Sequence, residues 1–88
     1  MPSQQAKNKM TVQLYYYALL REQRGCCKEK IDTKAKMLKE LYIELKAKYN
    51  FTLNINQLRV AVNDEFKSWD TIIRCGDQIT FIPPVAGG

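Results

Sequence analysis

Only one stretch of this sequence carries the signature of a long helix. Leu38, Leu41, Tyr42, Leu45 and Tyr49 recur at the i, i+3, i+4, i+7, i+11 spacing that lines up along one helical face. The pattern predicts a helix over residues 34–49. Thr33, or Asp32 before it, is the expected N-cap, because a short side-chain oxygen can accept from the first free amides. Glu44 and Lys48 are spaced as a favourable i, i+4 pair, and Asn50 supplies a left-handed stop. Almost everything else in the ordered part has a period of two. A single helix must then cover one face of a sheet, which is the α+β layer solution.

The strands follow in order. From Met10, Val12, Leu14, Tyr16 and Ala18 fall on one face, and Thr11, Gln13, Tyr15 and Tyr17 on the other. The charged stretch LLREQRG then reads as a turn ending at Gly25. CCKEKID reads as the second strand of a hairpin, near an edge, anchored by Ile31. Lys28 and Lys30 there would discourage pairing with another chain. After the helix, Leu58, Val60 and Val62 alternate with Arg59, Ala61 and Asn63, and Asn63-Asp64 forms a turn-prone pair. A short extended piece, EFKSW, offers Phe66 and Trp69 as packing groups. Residues 71–75 read as connecting chain, Gly76-Asp77 as a turn, and QITFI as the last strand, with Ile79 and Phe81 facing one way. The first nine residues show no periodicity and read as a mobile leader, residues 10–82 as the folded domain, and residues 83–88 as a flexible tail.

Composition narrows the function. At 88 residues the chain has room for one core. Lys and Arg number 14 against 9 Asp and Glu, a net charge of +5, too modest to make nucleic acid the default partner. The tyrosines at 15–17 read as core or sheet-surface packing, and the lysine-rich helix face as a solvated one. No apolar run approaches the ~20 residues of a membrane helix. The opening MPSQQAKNKM has no apolar core of the secretory kind, so a cytoplasmic location is expected. With three Cys and no His, neither a Cys-His couple nor a mixed His-Cys zinc site can be built, and no metal site is expected. Cys26, Cys27 and Cys75 read as reduced thiols.

The informative stretch is FIPPVAGG at 81–88. Two prolines stop a strand and stiffen its exit. Two glycines leave a terminus without side chains, able to enter a channel in which any Cβ would collide. The six residues from Pro83 to Gly88 reach at most about 20 Å when extended. The terminal carboxylate is ionised at neutral pH. It is a poor electrophile but a competent nucleophile toward the α-phosphorus of ATP. An acyl-adenylate would turn the Gly88 carbonyl into a target for a thiol, persulfide or amine. No phosphate-cradling glycine loop is present, so the activating machinery would belong to a partner.

Residues 10–88 resemble the small sulfur-carrier subunit of molybdopterin synthase, a branch of the ubiquitin-like β-grasp group. The matching features are VQLYYYALLRE, the helix beginning near Thr33, AVNDE at 61–65 and GDQITFIPPVAGG at 76–88. The phrase F-x-P-P-V-x-G-G, here Phe81, Pro83, Pro84, Val85, Gly87 and Gly88, is the part that points to the molybdopterin branch. The resemblance implies a β-grasp fold, a mixed four- to five-stranded sheet with one main helix on one face. It implies no independent catalytic centre and no stably bound cofactor. A ubiquitin-activator-like adenylyltransferase would use ATP to adenylate Gly88, and a sulfur donor would convert it to a thiocarboxylate. Sulfur would then pass to cyclic pyranopterin monophosphate inside the large catalytic subunit, as part of a heterotetramer. Gly88 is the covalent site; Phe81, Pro83, Pro84, Val85, Ala86 and Gly87 would position the tail or touch the partner. Neither nucleic acid nor membrane is an expected partner. Two alternatives stay open: a carrier or modifier serving thiamine synthesis, tRNA thiolation or protein conjugation, and a β-grasp binding module with an inert tail.

Overall fold

A computed structural model describes residues 9–84. The tail residues Val85, Ala86, Gly87 and Gly88, and the leader apart from Lys9, lie outside the described residues. The elements are β1 (Met10–Tyr16), α1 (Ala18–Arg24), β2 (Lys28–Thr33), α2 (Leu38–Tyr49), a 3₁₀ turn (Ile55–Gln57), β3 (Arg59–Val62), β4 (Glu65–Lys67) and β5 (Gln78–Ile82). The strands form one mixed sheet in the order β2-β1-β5-β3-β4. β1 and β5 are parallel neighbours at its centre, and the other pairings are antiparallel. With α2 packed on one face, this is the expected α+β ubiquitin-like β-grasp.

Period two explains which face meets the helix. Register aligns Leu14, Ile79 and Val62 in one row across β1, β5 and β3, and Tyr16, Phe81 and Val60 in the next. All six are buried. They meet Leu38, Leu41, Tyr42 and Leu45 of α2, the face read from the helical periodicity. Aromatic rings fill the junction: Phe81 lies 5.3 Å from Tyr42, 6.1 Å from Trp69 and 6.3 Å from Tyr16, between ring centroids.

Four local expectations are corrected. LLREQRG is not a turn: Leu19–Arg24 belong to the seven-residue helix α1, which starts at Ala18 and is closed by Gly25 in the left-handed region with φ 89°. Its only buried side chain is Leu20, too little for periodicity to reveal. The long helix starts at Leu38, not 34. Thr33 stays in β2, where its hydroxyl accepts from the Ala35 amide (3.0 Å) and donates to Glu44 (3.1 Å). Glu44 is thus engaged with Thr33 rather than with Lys48. The first turn of α2 is instead closed by the Glu40 carboxylate, which accepts from the Lys36 and Met37 amides. Those two bonds hold the Glu40 carboxyl below its ordinary range. Third, Phe66 is 63% exposed, because its pairing with Ala61 puts it on the sheet face away from α2. The Arg59 guanidinium sits 5.6 Å from its ring centroid. Fourth, the connection after Trp69 carries a buried anchor, Ile73, whose amide donates to the Lys36 carbonyl (2.8 Å).

One polar cluster ties four elements together at the core edge. Arg24, at the end of α1, donates to both carboxylate oxygens of Glu29 on β2, at 2.7 and 3.0 Å. Tyr16 of β1 donates its hydroxyl to the same carboxylate at 2.6 Å. The Arg24 guanidinium also lies 4.0 Å from the Tyr49 ring centroid on α2. The Arg24 bond is the main reason the Glu29 carboxyl is held below its ordinary range. Burial, then the Glu29 bond, pushes the Tyr16 phenol well above the usual range, and burial pushes Tyr42 up to about 12.

Ala18 enters α1 with φ 53°, a left-handed conformation that costs an L-residue roughly 1–2 kcal/mol. The neighbouring β1 residue Tyr16 and the first buried helical residue Leu20 hold it there from both sides.

Three consequences are measurable. Leu41→Ala should lose about 2–5 kcal/mol of unfolding free energy in urea, since Leu41 is wholly buried; a near-unchanged midpoint would refute its place in the core. Ala18→Gly should raise stability by up to about 1 kcal/mol, the relief of strain exceeding the added freedom of the unfolded chain, and Ala18→Val should lower it; equal melting temperatures for all three would contradict the strain. The pH profile should have two limbs. Glu29 contributes stability above its ordinary value of 4.5, lost as pH falls below it, and Tyr16 and Tyr42 contribute below their ordinary 10.0, lost as pH rises past it. Glu29→Gln should make the acid limb shallower and Tyr16→Phe the alkaline one, followed by urea unfolding across pH.

Candidate functional site: the root of the tail

Because β5 runs parallel to β1, both strands end at the same edge of the sheet. The tail therefore leaves the domain beside the junction of β1 with α1. Phe81, the penultimate residue of β5, is fully buried. Its sequence-assigned role divides accordingly: it anchors the tail from within the core and offers no surface to a partner. Ile82 is half-buried, Pro83 buried and Pro84 exposed. Burial passes into solvent within four residues.

Pro83 and Pro84 form a ridge between two depressions. On one side lies a small one of about 310 Å³, bounded by Asn56, Gln57, Leu58 and Arg59. On the other lies a groove of about 720 Å³, walled by Tyr17, Leu19, Leu53 and Ile82 with the two prolines. Tyr17 is 52% exposed and Leu19 38%. Ala18 lies between them in sequence and also lines the groove, and Glu22 of α1 is the one charged residue that lines it. This groove was not legible in the sequence. The available signal was YYYALL at 15–20, which holds more apolar side chains than one sheet face can bury. Of its tyrosines, Tyr16 enters the core, Tyr15 is half-buried on the opposite sheet face, and Tyr17 faces the groove.

Among the described residues no cluster of three or more His, Cys, Asp or Glu is placed to hold a metal ion. Cys26 is half-buried, Cys27 and Cys75 are exposed, and all three are free thiols. No helix among the described residues is long and apolar enough to cross a membrane. The chemistry this arrangement favours is presentation of chain beyond Pro84, from a root fixed by Phe81 and Pro83.

Comparison with known proteins agrees with this geometry. No curated protein matches the chain by sequence. Among solved structures, subunit 1 in the protein–protein complex of subunits 1 and 2 of molybdopterin-converting factor from Helicobacter pylori is similar, at 30% identity and TM-score 0.61, covering 90% of this chain and 100% of that one. A putative molybdopterin converting factor subunit 1 from Pyrococcus furiosus shares the fold at 24% identity and TM-score 0.71, covering 86% and 99%. SAMP1 from Haloferax volcanii shares it at 19% and 0.73, covering 89% and 99%. The model of the ThiS family matches residues 14–88, nearly the whole domain and its tail. The chain belongs to the ThiS family, whose fold is that of the ubiquitin-like β-grasp sulfur carriers.

Proposed function

We propose that this protein is the sulfur-donating small subunit for molybdopterin synthesis, and that Gly88 is its working atom group. The observation that carries the reading is the phrase FIPPVAGG on a ThiS-family fold. The Helicobacter pylori relative, a complex of subunits 1 and 2, supports a partner protein.

The chemistry runs in three balanced steps. A Gly88 carboxylate oxygen attacks the α-phosphorus of ATP held by an activating enzyme; an acyl–phosphate bond forms and pyrophosphate leaves. A sulfur nucleophile then adds to the Gly88 carbonyl carbon and AMP leaves with its bonding pair. If the nucleophile is a persulfide, the resulting acyl disulfide is cut by a thiol, which ends as a disulfide and leaves the thiocarboxylate. Finally, once for each sulfur transferred, the thiocarboxylate sulfur bonds to a side-chain carbon of cyclic pyranopterin monophosphate in a large catalytic subunit, a C–O bond of that carbon breaks with its oxygen leaving as water or on the phosphate, and water cleaves the acyl–sulfur bond to restore the carboxylate. In this reading the partners are the source of any base or metal these steps use. Its contribution is a narrow acyl handle, with Gly87 and Gly88 lacking Cβ atoms and Pro83 and Pro84 limiting the directions it samples.

Intact-mass spectrometry tests the reading. Incubated with its activating enzyme, ATP and a sulfur donor, the full chain should gain the difference between sulfur and oxygen at the C-terminus. Deleting Gly88 should abolish the gain and leave the circular dichroism unchanged, since the core ends at Pro83. Sulfur found on Cys26, Cys27 or Cys75, or charging that survives the deletion, would refute it. A charged chain that delivers no sulfur to cyclic pyranopterin monophosphate with the large subunit present would assign the carrier to another acceptor.

A further inference from the structure

The two edges of the sheet are β2 and β4. β4 has three residues, whereas β2 has six and a free side along its whole length. Which of its main-chain groups point outward follows from its pairing with β1. The Tyr16 amide donates to the Cys27 carbonyl at 2.8 Å, and antiparallel pairs exchange bonds at every second position. Glu29, Ile31 and Thr33 therefore turn their main-chain groups toward Leu14, Val12 and Met10, and Lys28, Lys30 and Asp32 turn theirs outward. The far side of β1 agrees. Thr11 accepts from the Gly76 amide and Gln13 donates to the Asp77 carbonyl, so these two point away from β2. Among the described residues no hydrogen bond reaches the main-chain groups of Lys28, Lys30 or Asp32. Unpaired groups of that kind are a template for another strand.

The side chains on this edge fit one strand in particular, that of a second copy. Antiparallel copies joined edge to edge share a two-fold axis through the seam, so the residue on the axis faces itself. With Ile31 on the axis, Lys30 opposes Asp32 of the second copy, and Asp32 opposes its Lys30. Both pairs join outward-pointing residues, so each exchanges two main-chain bonds beneath an ion pair. Other registers lose this match. An axis at Lys30 sets lysine against lysine, one at Asp32 sets aspartate against aspartate, and one at Glu29 sets Lys28 against Lys30. The two Ile31 side chains, half-buried at the rim of the core, meet at the non-hydrogen-bonded position, where side chains approach most closely. Asp32 is already oriented for its part: its Oδ1 accepts from the Thr11 hydroxyl at 2.6 Å, which leaves Oδ2 for the incoming lysine.

We infer that β2 pairs with β2 of a second copy about Ile31, joining two five-stranded sheets into one. Lysines that repel an unrelated strand here recognise the chain's own. Beyond the two ion pairs Lys28 meets Lys34, which stops the ladder, so the contact is small and reversible. β5 lies two strands in from the seam. Both Pro83 roots therefore stay clear of it and, the copies being antiparallel, sit at opposite ends. The pairing is independent of what the tail does.

Sedimentation velocity tests it, under reducing conditions that keep Cys27 and Cys75 from cross-linking copies. From about 10 µM to 1 mM the wild type should pass from the 10.2 kDa monomer toward the dimer. Lys30→Glu and Asp32→Lys should each weaken association about tenfold or more. Mixed in equal amounts, these two variants should associate as the wild type does, because each then meets its opposite charge. A chain carrying both reversals should also recover. Ile43→Ser, on the exposed side of α2, is the control and should change nothing. Amide exchange should slow at Lys30 and Asp32 as concentration rises, and stay unchanged at Glu29 and Ile31, which are already bonded to β1. Thermal unfolding of each variant in dilute solution should match the wild type, since both positions are exposed. A wild type that stays monomeric throughout overturns the inference. So does a dimer that survives either single reversal, or a mixture that fails to associate. Protection of the Lys30 and Asp32 amides in the dilute monomer would assign the edge to the chain's own first eight residues instead.

Discussion

Phe81 touches three separate parts of the chain at once: the Tyr16 ring of β1, the Tyr42 ring of α2 and the Trp69 ring of the loop after β4. It stands in the middle of the sheet, between β1 and β3, next to the last residue of the last strand. Truncating such a ring in a packed core costs several kcal/mol as a rule, about 3–5. The same contacts therefore close the core and hold the start of the tail at a fixed point. The proposed function needs this, because a tail on a fraying strand has no defined origin. Parallel pairing with β1 adds a direction: the exit is forced beside the place where β1 turns into α1.

The charged groups play a smaller and local part. The Arg24–Glu29 pair is half-shielded, bidentate and shared with the Tyr16 hydroxyl, so it is stronger than an ordinary surface pair. It fastens the short α1 to β2 and, through Tyr49, to the end of α2. The Lys39–Asp70 and Lys67–Glu65 pairs are more exposed and contribute little. No buried side-chain polar atom among the described residues lacks a partner, so the interior carries no hidden electrostatic debt.

How far the sequence could be read depended on how much of each element was periodic. Five apolar positions over twelve residues made α2 plain, and alternation made the inner faces of β1, β3 and β5 plain. The start of α2 was obscured because Thr33 serves a strand ladder and a loop amide at once, a competition no window of residues displays. α1 is two turns with one buried side chain, below what periodicity resolves. Phe66 was misplaced because a three-residue strand has no face of its own until its register with Ala61 is known. The tail phrase was open to reading since its meaning is compositional: prolines, then glycines. The groove beside it was not, because Tyr17 and Ile82 become neighbours only once β1 and β5 pair in parallel.

The two prolines also limit how anything can hold the tail. Neither Pro83 nor Pro84 has an amide hydrogen, so β5 cannot be lengthened into a visiting strand by the usual main-chain zipper. A partner must grip by shape and side chains near the root, and any backbone pairing starts afresh beyond it. A grip of that kind lacks the slow, many-bonded release of an added β-strand. Under the proposed function, in which the tail is loaded in one place and emptied in another, quick departure matters as much as recognition.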